Sequence, residues 1–291
     1  MFKRFPCTAR LAIAKNFGLW NYRRDEGSSG DTGLTDTFSR AFLQPKDEAP
    51  FVVLNPNASS GLIICCDHAG RKLPASLLDH GLPPAAMERH IASDIGAHDI
   101  ARRLSERLDA VAICGTYSRL VIDLNRYPWD PAALVPVSDG THIPFNQNVS
   151  SSERQARVDA IHRPYHNAIA TAIDRVTATD RKAVLISVHT MTDQLTGGAW
   201  RPEAYAVLHA AHDPWLARAM LDWLPRHVSG VVGDNTPYSL DEGIDFTVPE
   251  HGFRRGIPTF MFEVRQDLVA TRDDARTHAD VLADGLQACM P

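Results

Sequence analysis

The sequence predicts a single α/β domain with a mixed, mostly parallel sheet and helices on both of its faces. From about residue 51 onward, short apolar runs alternate with longer stretches of helical periodicity. These runs are apolar throughout rather than at every second position, which is typical of strands buried on both faces of a sheet. The composition agrees, because 44% hydrophobic and 22% charged residues in a chain of 291 are the proportions of a globular protein.

The predicted strands and helices follow one another in a regular order. The strands cover residues 62–66, 111–114, 120–122, 183–188, 205–208, 230–232 and 259–264. The helices cover residues 84–108, 152–176, 214–224 and 273–288. Pro83 and Pro84 favour a helix start at the first helix, and Ser151-Ser152-Glu153 is a capping sequence for the second. Strands separated by helices favour a sheet covered on both faces.

Residues 1–50 differ from the rest of the chain. Up to Arg24 this segment is basic and has no acidic residue, and residues 25–35 form a linker of Gly, Ser and Asp that cannot build a core. The apolar patch at 11–14 is too short for a signal peptide. We therefore predict a flexible N-terminal extension at 1–50 and one domain at 51–291.

Bulk charge and cysteine usage restrict the partners and the compartment. Thirty Lys and Arg against 35 Asp and Glu give a net charge of −5, which does not support nucleic-acid binding. No run approaches the roughly 18 apolar residues of a membrane span, so no membrane association is predicted. Three of the five cysteines lie in apolar, strand-like runs, which favours a reducing, cytoplasmic compartment without disulfides.

Polar side chains stand where three of the apolar runs end. His68 follows the run at 62–66, His189 follows the run at 183–188, and Glu263 closes the apolar run at 259–264. Ligands of open α/β sheets gather at the carboxyl ends of the strands, so these side chains are expected to meet in one crevice. A lone histidine at a strand end is usually a hydrogen-bonded loop residue. Two histidines with a carboxylate are instead the composition of a catalytic zinc site.

A third metal ligand can come from the predicted helix 84–108. Asp94 lies three positions before Ala97 and so continues the apolar stripe of this helix toward the core. A buried carboxylate must be ion-paired, hydrogen-bonded or bound to metal, so Asp94 can also serve only to pair an arginine or to fix a histidine tautomer. His90 and His98 flank Asp94 at four residues on either side, and His98 is expected at the helix surface.

The segment 118–126 brackets a predicted strand with two arginines. Arg119 and Arg126 have forked guanidinium groups suited to a substrate carboxylate, and a guanidinium or the Asn125 amide can polarise a carbonyl. Structural ion pairs between these arginines and Asp123 are the alternative. The run at 162–166 adds two histidines around Pro164, a proline expected to kink its helix.

Other catalytic chemistries have no support. The sequence lacks the Gly-x-Ser-x-Gly elbow, the Walker A loop, the Gly-x-Gly-x-x-Gly loop and the Cys-x-x-Cys pair. Cys65 and Cys66 lie within an apolar strand, where burial raises the pKa of a thiol and makes it a poor nucleophile.

Several blocks of the sequence together resemble the N-formylglutamate amidohydrolase family. In order from about residue 62 to 268 they are CDHAGRKLP, HIASDIGAHDIARRL, SRLVIDLNRYP, IPFNQNVS, HRPYHNAI, SVHTM and HGFRRGIPTFMFEVRQDL. That family is similar in fold to the zinc carboxypeptidases and aspartoacylases, the phosphorylase/hydrolase-like fold. The resemblance implies one Zn²⁺ per chain, a small-molecule substrate with a carboxylate, and hydrolysis of N-formyl-L-glutamate to formate and L-glutamate in histidine catabolism.

The resemblance also implies roles for individual residues. His68 and His189 match the two metal histidines, and Glu263 matches the general base that takes a proton from the attacking water. Arg119 fits the group that polarises the scissile carbonyl. The pair that holds the substrate carboxylate corresponds to Asn125 and Arg126.

One position departs from the related enzymes. Zinc carboxypeptidases have a glutamate three residues after the first metal histidine, and this chain has Arg71 there. The third ligand must therefore come from elsewhere, with Asp94 as the first choice and His90 as the second. Two imidazoles and a carboxylate also accept Co, Ni or Mn.

Two other functions remain open from the sequence. The loop at 250–256 can shape a different pocket, which leaves a deacylase or carboxypeptidase acting on another N-acyl amino acid or small peptide. The absence of the usual glutamate at Arg71 also allows a non-catalytic binding protein that senses an acidic ligand through Arg119 and Arg126.

Overall fold

A seven-stranded mixed sheet forms the centre of the molecule in the computed structural model, which describes residues 42–179, 181–210 and 214–290. In these residues the strands are β1 (Phe51–Leu54), β2 (Leu62–Cys66), β3 (Val111–Gly115), β4 (Val137–Ser138), β5 (Thr141–His142), β6 (Val184–Met191), β7 (Glu203–Leu208), β8 (Val231–Asp234) and β9 (Thr259–Arg265). The α-helices are α1 (Ala97–Arg107), α2 (Ser151–Arg157), α3 (Arg163–Thr177), α4 (Trp215–Trp223), α5 (Thr247–His251) and α6 (Arg272–Cys289).

The strand order of the main sheet is β1-β3-β2-β6-β9-β7-β8, and β4 pairs with β5 in a separate two-stranded ribbon. The four central strands β3, β2, β6 and β9 run parallel to one another. β1 is antiparallel to β3, β7 is antiparallel to β9, and β8 runs parallel to β7. The prediction of a mixed, mostly parallel sheet is confirmed, and the parallel centre brings the carboxyl ends of β2, β6 and β9 to one edge.

Helices cover both faces of this sheet, as the continuous apolar strands predict. Neighbouring residues Ile63 and Ile64 of β2 point to opposite faces, and both are fully buried. Ile64 belongs to the core that packs under α1, α4 and α6. Ile63 belongs to a second core, which packs against α3 and against the segment that follows β3.

The first predicted helix is wrong over half of its length. Residues Pro84–Glu88 form a 3₁₀ turn, an irregular stretch follows, and α1 begins only at Ala97. Gly96 prevents an earlier start because its φ of 85° is left-handed and not helical. The position requires glycine, since a Cβ there would lie 2.5 Å from the Val269 carbonyl oxygen. Asp94 therefore lies in the loop before α1 rather than on the helix, although it is buried as expected.

The predicted strand at 120–122 is also wrong, because this apolar run is a buried irregular segment. A buried backbone without a strand partner needs other hydrogen-bond donors, and side chains from the following elements supply them. These bonds are Asn146 Nδ2 to the Leu120 carbonyl (2.8 Å), Arg157 Nη1 to Val121 (2.9 Å), His166 Nε2 to Leu124 (2.8 Å) and His162 Nε2 to Arg126 (3.0 Å). The residues that resembled a strand form a loop that follows β3 and is held by these side chains.

The second predicted helix is present, with an irregularity near Pro164. α2 and α3 are joined by a π-helical turn at Val158–His162, directly before the proline. The N-cap is Ser150 rather than Ser151, since the Ser150 hydroxyl accepts a hydrogen bond from the Glu153 backbone N–H at 3.1 Å.

The predicted N-terminal extension is described only in part. Phe42 and Leu43 pack against the second core, and residues 1–41 of the predicted extension lie outside the described residues.

No helix among the described residues has the length and apolar character needed to cross a membrane. Burial raises the pKa of the Cys65 and Cys66 thiols well above the usual value, as expected for inert core cysteines.

Candidate metal centre

Three central strands deliver chemically reactive side chains to one cavity. His68 follows β2 by two residues, whereas His189 and Glu263 lie within β6 and β9 near their carboxyl ends. His189 and Glu263 are paired across the parallel β6–β9 ladder, so their side chains leave the same face of the sheet. Together with Asp94 they line a cavity of about 370 Å³, a size typical of small-molecule sites.

His68, Asp94 and His189 form a buried cluster with the donor atoms of a metal site. Asp94 Oδ2 lies 3.3 Å from His68 Nδ1 and 2.8 Å from His189 Nδ1. The two rings meet edge to face with centroids 4.9 Å apart, and one donor atom of each residue lies within 4.8 Å of the others. Two imidazole nitrogens and a carboxylate oxygen fit the ligand chemistry of a catalytic zinc ion, so this group can bind a metal.

A second carboxylate lies behind each imidazole. Asp123 Oδ1 is 2.7 Å from His68 Nε2, and Asp67 Oδ2 is 3.1 Å from His189 Nε2. Each ring thus has Nδ1 directed to the cluster and Nε2 held by an acid, which is the arrangement that orients histidines as metal ligands. Sequence reasoning did not assign this role to Asp67 or Asp123. Their positions next to His68 and within the Asp-Leu-Asn-Arg run were the available signals.

The imidazoles favour the ionised forms of Asp94 and of Asp67 despite the burial of these carboxylates. Burial alone disfavours a charged Asp94, but the neighbouring His68 and His189 outweigh it and hold the pKa of Asp94 below its usual range. Asp67 likewise has a lowered pKa, because His189 and the Thr247 hydroxyl outweigh its burial. The Tyr165 hydroxyl also donates to Asp67 at 2.8 Å, which fixes this carboxylate in place.

Glu263 has a different environment from these acids. It is 5% exposed, and its Oε2 has no hydrogen-bond partner among the described residues. Burial, assisted by the negative charge of Asp94, raises the pKa of Glu263 to about 7. A carboxylate whose pKa lies near neutrality and which has a free oxygen in a cavity is suited to general-base chemistry.

Arg119 lines the same cavity and is held by two acids. Its Nε and Nη2 donate to Asp123 Oδ2 at 3.1 and 2.6 Å, and its Nη1 lies 3.4 Å from Asp94 Oδ1. The ion pair with Asp123 that the sequence left as an alternative is therefore present. It also places the guanidinium beside the metal cluster, because Asp123 and Asp94 both contact His68.

Asn125 and Arg126 reach the cavity and also contact the loop before α5. Asn125 Oδ1 accepts the backbone N–H groups of Phe246 and Thr247, and its Nδ2 donates to Asp245 at 3.1 Å. Arg126 Nη1 donates to Asp245 Oδ1 at 2.7 Å. Both side chains are thus held in place by Asp245, a partner that the sequence did not indicate.

His90, the second choice for the third ligand, and Arg71, which stands at the usual glutamate position, both lie outside the cluster. His90 is on an irregular segment, with Nε2 3.7 Å from Asp139, and the cluster of possible metal ligands does not include it. Arg71 is exposed and pairs with Glu88. Asp94 is the carboxylate that contacts Nδ1 of both histidines.

At the carboxyl edge of the sheet's parallel centre, two histidines and the nearby Asp94 form a group that can bind a metal, and Oε2 of Glu263 beside them has no hydrogen-bond partner among the described residues. Metal-assisted hydrolases use groups of this kind. The sequence profile of the N-formylglutamate amidohydrolase family matches residues 60–270, and the chain belongs to this family. The protein is therefore a hydrolase that acts on an amide of a small-molecule substrate.

Several solved structures are similar to this chain. A gene product from Agrobacterium tumefaciens has 31% sequence identity and a TM-score of 0.81, over 85% of this chain and 97% of that one. N-formylglutamate amidohydrolase from Ralstonia eutropha JMP134 has 19% identity and a TM-score of 0.59, over 84% of this chain and 100% of that one. At this identity the second likeness concerns the fold. A comparison with curated proteins finds no match.

Proposed function

We propose that the protein is a zinc-dependent hydrolase that converts N-formyl-L-glutamate and water to formate and L-glutamate. The proposal is carried by Glu263, which lines the same cavity as His68, Asp94 and His189 and whose Oε2 has no hydrogen-bond partner in the described part of the chain. The family supplies the acyl group and the amino acid. The cytoplasmic location and the place in histidine catabolism stay predictions.

His68, Asp94 and His189 would hold the zinc ion. A zinc ion bound there supplies Lewis-acid polarisation and makes water acidic enough to react at neutral pH. Asp123 and Asp67 hold the Nε2 atoms of the two rings, which keeps each Nδ1 available as a ligand.

Glu263 performs the proton transfers. Its free Oε2 takes a proton from the attacking water as the new C–O bond forms at the formyl carbon. The same oxygen then delivers this proton to the amine nitrogen as the C–N bond breaks, so glutamate leaves with a neutral amine. A pKa raised to about 7 suits both directions of transfer.

The arginines and Asn125 bind and orient the substrate. Arg119, fixed by Asp123, hydrogen-bonds the formyl oxygen and stabilises the negative charge that develops on it. Arg126 and Asn125, fixed by Asp245, hold the α-carboxylate. Among the described residues, only Nη1 of Arg126 forms a side-chain hydrogen bond, which leaves its other N–H groups for this carboxylate.

A panel of substrates tests the reaction. Formate and amine release are measured with N-formyl-L-glutamate, N-acetyl-L-glutamate, N-formyl-L-methionine and a dipeptide with a C-terminal glutamate. We expect the highest kcat/KM with N-formyl-L-glutamate. A preference for the acetyl compound or the dipeptide would contradict the proposed acyl group and favour a general deacylase or a carboxypeptidase.

A further inference from the structure

Among the described residues, three arginines line the cavity, and one of the three has no acidic partner there. Arg119 is paired with Asp123 and Asp94, and Arg126 is paired with Asp245. Arg201 forms no ion pair within the described part of the chain. Its one side-chain hydrogen bond there is from Nη1 to the Thr192 carbonyl at 3.0 Å.

The backbone and the neighbouring side chains fix Arg201 at the carboxyl edge of the sheet. It precedes β7 by two residues, and because β7 is antiparallel to β9 its start lies beside the carboxyl end of β9. The Arg201 backbone N–H donates to the Asp193 carbonyl at 2.8 Å, just past the end of β6. The guanidinium carbon lies 5.4 Å from the centre of the Tyr238 ring, a cation–π contact that orients the side chain.

Arg201 and Arg126 reach the cavity from different segments of the chain. Arg126 follows β3 by eleven residues and forms an isolated bridge with Asp245, whereas Arg201 leads into β7, the neighbour of β9. The cavity wall also includes the buried apolar side chains of Met191, Leu208 and Met261. A pocket with two cationic groups and an apolar wall is complementary to two carboxylates joined by methylene groups.

We propose that Arg201 is a specificity-determining residue that binds the side-chain carboxylate of the substrate, while Arg126 binds the α-carboxylate. This inference rests on the proposed function. An unpaired guanidinium in a partly enclosed cavity gains a bidentate partner when the dicarboxylate enters. A substrate whose side chain is neutral leaves it unpaired and is discriminated against.

The test compares N-formyl-L-glutamate with N-formyl-L-glutamine, which has nearly the same shape and lacks the second charge. The zinc-loaded wild type is compared with Arg201→Gln, Arg201→Lys and the control Arg102→Gln. Arg102 is an ion-paired arginine on α1 that does not line the cavity. Thermal melting of each variant establishes that it is folded.

We expect Arg201→Gln to lower kcat/KM for N-formyl-L-glutamate by about 10- to 100-fold, mainly through KM, and to leave N-formyl-L-glutamine nearly unchanged. Arg201→Lys restores part of the loss because it retains the charge without the fork. Arg102→Gln behaves as wild type. An equal loss with both substrates, or no loss with N-formyl-L-glutamate, overturns the assignment of Arg201.

Binding separates this proposal from the proposed reaction. Calorimetry measures N-formyl-L-glutamate binding to Glu263→Gln and to Glu263→Gln with Arg201→Gln. If the wild type releases no formate but binding depends on Arg201, the reaction is wrong and the Arg201 assignment stands. If binding is equal in the two proteins or absent from both, the Arg201 assignment is wrong.

Discussion

Glu263 and Asp94 are buried carboxylates of one cavity with opposite environments. Asp94 lies between two imidazoles that hold its pKa below the usual range. Glu263 has an oxygen without a partner among the residues that the structure describes, and burial raises its pKa to about 7. Environments that separate the pKa values of neighbouring acids distinguish their roles. Asp94 is suited to metal ligation and Glu263 to proton transfer.

The first prediction concerns Glu263→Gln. The amide keeps the size of the side chain but cannot accept a proton, so we expect kcat to fall by about a hundred- to ten-thousand-fold while the metal content stays unchanged. His189→Ala serves as the contrast, because it removes a ligand and should lose both metal and activity. Retained turnover in Glu263→Gln would show that another group is the base.

The second prediction concerns the acid behind His68. Asp123→Asn removes the charge that holds Nε2 of this ring at 2.7 Å, and we expect zinc affinity to fall by about 10- to 100-fold. Competition with a chelator of known affinity measures it. Asp280→Asn, which breaks ion pairs between α6 and α1, is the matched control. Equal affinities in the two variants would mean that Asp123 does not orient the ligand.

The sequence allowed part of this site to be predicted. His68, His189 and Glu263 were recognisable because each polar residue interrupts or ends an apolar strand. Asp67 and Asp123 were not assigned as partners of the imidazoles, because side-chain direction beyond a strand end depends on the folded loops. Asp94 was identified as buried, but on a helix that does not extend to it.

The two segments that precede α1 and follow β3 position the site. Asp94 lies two residues before Gly96, and the Asp94 backbone N–H donates to the His68 carbonyl at 3.0 Å. The left-handed conformation of Gly96 thus sets both the start of α1 and the position of a candidate ligand.

The third prediction compares two glycines with positive φ. Gly81 has a φ of 75° and open space around it, whereas a Cβ at Gly96 meets the Val269 backbone. We expect Gly81→Ala to lower the free energy of unfolding by about 1 kcal/mol and Gly96→Ala by about 3 kcal/mol, since only the second adds a clash to the backbone strain. Urea denaturation measures both.

Zinc affinity gives an independent readout for the same pair. It should fall in Gly96→Ala, where the loop that carries Asp94 must shift, and remain unchanged in Gly81→Ala. Equal losses of stability and unchanged zinc affinity in both variants would contradict this account of the loop.

The segment at 118–126 shows why the local sequence pattern was insufficient to predict a secondary-structure element. Its apolar run has the composition of a strand, yet its carbonyls are bonded by Arg157, His162 and His166, which lie some 35 to 45 residues further along the chain. These donors are supplied by the helical segment from α2 to α3, and no feature of the run itself indicates them. The histidines of the run at 162–166 thereby acquire a structural role in holding Asn125 and Arg126.

At the scale of the whole molecule, the sequence was sufficient to predict a mostly parallel sheet but not the order of its strands. Apolar strands separated by helices are sufficient to indicate a largely parallel sheet. The order β1-β3-β2-β6-β9-β7-β8 depends on pairings such as β6 with β9, whose residues are more than 70 positions apart in sequence. Such long-range pairing is decided by the packing of the complete core.

The fourth prediction concerns stability against acid. Burial lowers the pKa of His162 to about 4, whereas the same ring in the unfolded chain titrates near 6.5. Between these values the unfolded chain binds a proton that the folded protein does not. The stabilisation is therefore complete above about pH 7 and is lost as the pH falls toward 4.

His162→Gln removes this titration and keeps a donor for the Arg126 carbonyl. We expect the difference in free energy of unfolding between wild type and His162→Gln to shrink by about 2 kcal/mol from pH 7 to pH 5, as measured by urea denaturation. His142→Gln, at an exposed position on β5, is the control and should show no such change. A difference independent of pH would mean that His162 titrates normally in the folded protein.

The central claim is that the cluster of His68, Asp94 and His189 holds a zinc ion used to hydrolyse N-formyl-L-glutamate. Elemental analysis of the purified protein, combined with an assay for formate release, tests it most directly. We predict about one zinc per chain, and formate release that a chelator abolishes and added Zn²⁺ restores. Absence of bound metal, with no formate released after Zn²⁺ is added, would contradict the claim.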